Sequence, residues 1–359
     1  MSAAERGGSR RRRVLGFAVS AVVLVLVAPT LASVYGQLGT SVRLPPLWLA
    51  AIVVATALQF LSTWTLQRIV LRTDRWLDVA APELVGNACS HLLPAGSAAG
   101  AGVQLRLLTD AGFPLPQALT SLSVTSLLST AAGLVVLPFI VLAATAAGSH
   151  VESRLVAPMW AGAALLAAIL AALMFAVGRD RPWRVVAGVV AWVDGRRRRA
   201  VDREQLERRL LEERDQVLAA VRERRLLVAV VVIARPLLDY LCLLAALEAS
   251  GARINPAAAL AAFIVSNVAG MIPLTPGGLG FVEAGLAGTI TLAGAAGGPA
   301  RVAVATYRVA ATWLPSVAGG CAYLVFRRRH AGRATPVLGD GPDDAVLWSP
   351  GVPGGQGGE

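Results

Sequence analysis

Of 359 residues, 55% are hydrophobic and only 15% charged, with a mean hydropathy of +0.62, which excludes a soluble globular domain of this length. The formal net charge of +11 comes from arginine alone, because the chain has no lysine. The arginines gather at the ends of apolar runs and no aromatic stacking platform accompanies them, so membrane topology explains the charge and nucleic acid is excluded as a partner.

In chain order, Arg6 and Arg10 to Arg13 hold the N-terminus in the cytoplasm. The apolar run 14–36 is longer than a signal-peptide core and lacks a clear small-x-small cleavage site, so it reads as an uncleaved first span. A second span, 47–69, returns to Arg68, Arg72 and Arg75. The segment 82–105 is broken at Pro94 to Gly102 and is bounded by cytoplasmic charge on both sides, which predicts a re-entrant element. The run 115–147 exceeds one crossing and should tilt, or kink near Pro138. Span 157–178 leads into a cytoplasmic segment, 179–225. There, Trp183, Val186, Val190 and Val193 form an interfacial face, and 200–224 reads as a solvated helix with pairs such as Glu204 and Arg208. Span 226–249 runs outward, the broken segment 256–297 dips from the outer face, and a last span, 302–326, ends at Arg327 to Arg329.

The predicted fold is an all-α polytopic membrane protein of about six full spans plus two re-entrant broken helices. One broken segment enters from each side of the bilayer, the arrangement of an inverted repeat around a midplane site. The predicted organisation is a basic cytoplasmic N-terminus (1–13), a membrane domain (14–326) and a Gly- and Pro-rich disordered cytoplasmic tail (327–359). Cys89, Cys242 and Cys321 lie in apolar segments without metal-ligand spacing and read as small buried hydrophobes.

The most informative segment is Pro273-Leu274-Thr275-Pro276-Gly277-Gly278-Leu279-Gly280, in the middle of an apolar stretch and followed by Glu283. Two prolines and three glycines at membrane depth are tolerated only where broken backbone is buried in protein or lines a cavity. A half-helix starting near Phe281 would present unpaired amides suited to a phosphate or carboxylate, with Pro276, Gly277, Gly278 and Gly280 shaping the approach. The same small residues also suit a tight helix crossing. Glu283 is either a cap of that helix or an intramembrane acid with a partner, for which Arg308 is a better placed candidate than Arg301. Arg235 and Asp239, four apart on one face, either neutralise each other or serve the site. Glu83, His91, Arg106 and Asp110 flank or enter the first broken segment, and Arg106 is the candidate binding residue of that half. There is no Walker A loop, HExxH, CxxC or Gly-x-Ser-x-Gly elbow, so no catalytic residue, metal or cofactor is expected and the chain does not read as an enzyme.

The run Asn267 to Gly285, followed by Tyr307-Arg308, Trp313-Leu314-Pro315 and Gly319, resembles the flippase-like membrane domain of the lysylphosphatidylglycerol synthetase family over residues 14–326. Members of that family often carry Pro-Gly-x-x-Gly-Glu before an arginine in the first half. Here the stretch from Pro94 to Arg106 is longer and Gly-Ala-rich, with Gln104 where an acid is expected. The arginine distribution places both termini in the cytoplasm, and the resemblance implies a bacterial plasma-membrane protein that handles or translocates lipids at re-entrant segments. It implies Glu283 and Arg308 as family-pattern positions, without the soluble aminoacyl-transferase part. The expected partners are membrane lipids, anionic or lipid-linked, with the oligomeric state open. The other reading is a membrane-embedded partner or regulatory subunit of a separately encoded glycosyltransferase or lipid-modifying enzyme, docked through 196–225.

Overall fold

The computed structural model describes residues 45–93, 96–146, 203–270 and 280–330, with isolated helical positions at 168 and 185. The predicted spans 14–36 and 157–178, the interfacial stretch 182–193, the Pro-Gly break at 271–279 and the tail beyond 330 lie outside these residues. Among the described residues every regular element is helical: α1 Pro46–Leu71, α2 Trp76–Leu92, α3 Gly96–Asp110, α4 Leu115–Ala146, α5 Arg203–Glu223, α6 Arg225–Ser250, α7 Pro256–Gly270, α8 Phe281–Leu292, α9 Gly297–Arg308 and α10 Leu314–His330. A π-turn, Val309–Trp313, joins α9 to α10.

Three of the described helices are long and apolar enough to cross a bilayer: α1, α6, and α9 continued through α10. Their patterning inverts that of a soluble protein. On α1, Leu47, Val53, Val54, Leu58 and Leu61 are exposed, while Thr56, Thr63 and Gln67 are buried. Apolar side chains meet hydrocarbon there, and polar ones turn inward where other protein groups can satisfy them. On α6, Leu226, Val230, Ile233 and Leu241 face outward. Local chemistry fixes the ends: Pro46 at the first turn opens α1, and Arg72 (φ 51°) and Gly251 (φ 71°) close α1 and α6 in the left-handed conformation. Arg72 also reaches α5, donating to Glu213 Oε2 at 2.5 Å and to Gln216. The charged helix α5 is thereby held to the bundle while its Leu210 and Val217 are buried.

Two pairs of short helices complete the bundle. α2 and α3 have 17 and 15 residues, and α7 and α8 have 15 and 12. At about 1.5 Å per residue none of the four spans the roughly 30 Å of hydrocarbon. α2 and α3 approach closely because Gly86 and Gly100 face each other: a Cβ on Gly100 would lie 2.4 Å from Gly86 O and 1.8 Å from Ser90 Oγ. α7 and α8 pack through Leu260, Phe263, Leu286 and Ile290, in a core shared with α1, α6 and α9. A second core joins α2, α3 and the end of α10 through Val79, Val85, Leu108 and Phe326.

Two predicted boundaries shift. The first broken segment starts at Trp76 and runs to Asp110, instead of spanning 82–105. Pro82 does not stop α2, because the turn before it is held by the Arg68 guanidinium, 3.9 Å over the Trp76 ring, and by Arg75 Nη1, 3.4 Å from Asp78. The last helix continues to His330 instead of ending at 326, since His330 stacks on Phe326 at 4.2 Å and lies 3.6 Å from Asp78 on α2. α4 runs unbroken for 32 residues through Pro138.

The α2–α10 crossing depends on one missing methyl group, since a Cβ on Gly319 would lie 2.5 Å from Leu84 O and 2.9 Å from Ala88 Cβ. Gly319→Ala should therefore destabilise the protein by about 1–3 kcal/mol through overpacking. Gly320→Ala, with nothing within 4 Å, should be neutral or stabilising by up to about 1 kcal/mol. Thermal unfolding of the two variants in detergent checks the contrast.

Candidate functional site

α1, α2, α6, α9 and the π-turn line a partly open cavity of about 180 Å³. Its wall is polar: Gln59 and Thr63 from α1, Glu83, Asn87 and His91 from α2, Arg235 and Asp239 from α6, Tyr307 and Arg308 from α9, and Thr312 from the π-turn. In a domain whose outer faces are apolar, such a concentration of ionisable groups marks a site by its cost alone.

Arg308 is the best determined of these groups. It is the last residue of α9, 8% exposed, and the wide turn after it directs Arg308, Ala311 and Thr312 toward the same cavity. Its Nε donates to Glu283 Oε1 at 2.7 Å. The other oxygen of Glu283 accepts the Gly280 amide at 2.7 Å, so the N3 carboxylate satisfies the N-cap amide at the start of α8. Gly280 holds φ at 89°, in the region glycine favours, so the chain can turn into α8 there. One carboxylate thus caps a half-helix and neutralises a buried guanidinium. Arg301, four residues into α9, is exposed.

The remaining charges face the cavity from α2 and α6. Trp64 Nε1 donates to Glu83 Oε2 at 3.1 Å, and Glu83 is 9% exposed. Tyr307 donates its hydroxyl hydrogen to Asp239 Oδ1 at 3.0 Å. Arg235 and Asp239 share a face of α6 as their spacing predicts, but Tyr307, rather than Arg235, occupies the Asp239 carboxylate. Asn87 Oδ1 and His91 Nδ1 are buried without a hydrogen-bond partner among the described residues. The wall therefore offers guanidinium donors suited to a phosphate or carboxylate, beside acceptors suited to hydroxyl hydrogens.

Of the residues singled out from sequence, the structure brings together Glu283, Arg308, Arg235, Asp239, Glu83 and His91 around this one cavity or its ion pair. Arg106 is exposed on α3 and does not line it. Pro276, Gly277 and Gly278 lie outside the described residues. Sequence reasoning missed Tyr307, Asn87, Gln59, Thr63 and Trp64. Only Tyr307, adjacent to Arg308, carried a usable signal. Among the described residues no group of three or more His, Cys, Asp or Glu could hold a metal ion.

Removing one partner of a buried ion pair leaves the other charge to be accommodated in low dielectric. Glu283→Ala, which also opens the α8 cap, should cost about 3–5 kcal/mol. Arg301→Ala, at an exposed position, should stay within about 0.5 kcal/mol of the parent. Unfolding midpoints in one detergent measure both.

Comparison with known proteins returns one family: the model of the lysylphosphatidylglycerol synthase TM region matches residues 13–319. Neither curated proteins nor solved structures give a match. The match takes in the whole cavity wall, the capped α8 and the π-turn, and by it this chain belongs to the family of the lysylphosphatidylglycerol synthase transmembrane region.

Proposed function

We propose that this chain is a non-enzymatic, flippase-like lipid-handling protein of the bacterial plasma membrane, and that the cavity receives an anionic or lipid-linked headgroup. The observation that carries the reading is the buried Arg308, held by Glu283 at the edge of a polar cavity within an otherwise apolar helical bundle. Arg235 on the facing wall supplies a second guanidinium. A phosphate engaged by two guanidiniums would be held by charge-assisted bonds while acyl chains remain against the apolar outer faces.

The helix order supports a two-fold construction. A 26-residue helix, a short pair and a long helix occur as α1, α2–α3 and α4, and again as α6, α7–α8 and α9–α10. We take each short pair as a re-entrant element and the two halves as an inverted repeat, with both termini cytoplasmic. His91, near the end of α2, and Arg308, paired to the start of α8, bring both pairs to the same cavity. That is the arrangement expected of a transporter site at the repeat interface.

Mass spectrometry of lipids retained by gently purified protein tests the reading. One phosphate-bearing species should be enriched over bulk membrane, and Arg308→Ala or Arg235→Ala should reduce that enrichment at least about tenfold, equivalent to the loss of a charge-assisted bond. Arg106→Ala should leave it unchanged. A bulk-like lipid profile in the parent and all variants would overturn the site and favour a docking subunit for a separate membrane enzyme.

A further inference from the structure

Among the described residues, the charges around the cavity do not balance. Glu83, Asp239 and Glu283 contribute three carboxylates, while Arg235 and Arg308 contribute two guanidiniums, leaving one negative charge in surplus. Arg308 is paired to Glu283 at 2.7 Å, and Glu83 and Asp239 line the same cavity as Arg235 and Arg308. Each of these two carboxylates accepts a hydrogen bond from a neutral donor, Trp64 or Tyr307, and neither has an ion-pair partner within 4 Å among the described residues. An uncompensated charge in such a setting is costly, and the cheapest compensation is a proton.

The described elements packed around Glu83 carry the following groups. α2 itself adds His91 and Asn87, α6 adds Arg235 and Asp239, α9 adds Tyr307 and Arg308, and α8 adds Glu283 through its pair. α1 presents only neutral groups there, Gln59, Thr63 and Trp64. On the other sides of α2, α3 contributes Gln104 and α10 contributes Gly319.

Further buried polar groups lie on α1 and α4. On α1, Gln67 lies one turn beyond the cavity residue Thr63 and is 1% exposed, with Oε1 unpartnered among the described residues. On α4, Ser121 and Thr125 are also buried, and their hydroxyls likewise lack a partner there. Gln117, one turn before Ser121, donates to Leu71 O at 2.9 Å, fixing the start of α4 against the end of α1. α1 and α4 thus meet at the Gln117–Leu71 contact and through Val124 against Leu66 and Val70, and each carries buried oxygens without a partner among the described residues. Polar groups of this kind are ordinarily satisfied by water, which also conducts protons.

We propose that the cavity binds one exchangeable proton, held on Glu83 in the cavity it shares with Asp239, and that headgroup binding is coupled to it. The step is a simple proton transfer: a water-borne proton joins a carboxylate oxygen of Glu83, and no other bond is made or broken. Binding of an anion to Arg235 and Arg308 then favours proton uptake, and by reciprocity the proton favours the anion. The coupling, though not the proton site itself, rests on the lipid reading above.

The test uses the full chain in nanodiscs and pH-difference infrared spectroscopy. A carboxylic-acid band should appear as pH falls, be lost in Glu83→Gln, and change frequency in Trp64→Phe, which removes the N–H donor even if the glutamine variant fails to fold. A band indifferent to both substitutions, or no titrating band, overturns the proton site. Short-chain phosphatidylglycerol is then added in weak buffer with a pH indicator, at a pH above the midpoint of that band, where Glu83 is ionised before lipid is added. Uptake of about one proton per lipid bound, absent in Glu83→Gln, supports the coupling. Lipid binding without proton uptake overturns the coupling alone. A titrating Glu83 band with no lipid binding instead overturns the lipid reading and leaves the proton site standing.

Discussion

The two oxygens of Glu283 answer two needs, and the rest of the site depends on both being met. One oxygen holds the Gly280 amide and so defines where α8 begins; the other holds the guanidinium of Arg308 at 2.7 Å. A half-helix start carries partial positive charge, and a buried arginine carries a full one. Setting a single carboxylate between them lets the start of α8 and the end of α9 meet inside the bundle. Without it, a positive helix start and a positive side chain would repel each other at short range.

Around that pair, the architecture follows from what each helix presents to lipid and to protein. The outer faces of α1 and α6 are leucine, valine and isoleucine, so polar residues are free to accumulate inward. Close approach comes from absent side chains: Gly86 against Gly100, and Gly319 against Leu84 and Ala88. These contacts seat α2 between α3 and α10, and α2 in turn carries Glu83, Asn87 and His91 to the cavity. The π-turn after Arg308 works in the same direction, turning Thr312 to the cavity together with Arg308.

Much of this is legible in the sequence for a physical reason: ionisable residues inside apolar runs are rare enough to be informative. That rule singles out Glu283, Arg308, Arg235 and Asp239, and it favours Arg308 over Arg301 because Arg308 falls inside the apolar run 302–326 and Arg301 just before it. Helix α6, bounded by Arg225 and the Gly251 cap, is legible within a residue at each end. The first half is harder to read. From Gly86 to Gly102 the chain is dominated by small residues with little periodicity, so sequence alone misses the start of α2 at Trp76 and favours Arg106 over Glu83. The π-turn leaves no sequence signature, and the neutral partners Trp64, Thr63 and Gln59 become visible only once α1 is set against α2.

The central claim is that this cavity holds a lipid headgroup at membrane depth. The most direct measurement is a high-resolution cryo-electron microscopy map of the protein in nanodiscs containing phosphatidylglycerol. The account predicts headgroup density inside the cavity, with a phosphate within hydrogen-bonding distance of Arg235 or Arg308. A map with headgroups confined to the bilayer surface, and a cavity closed by an Arg235 ion pair to Glu83 or Asp239, would contradict it.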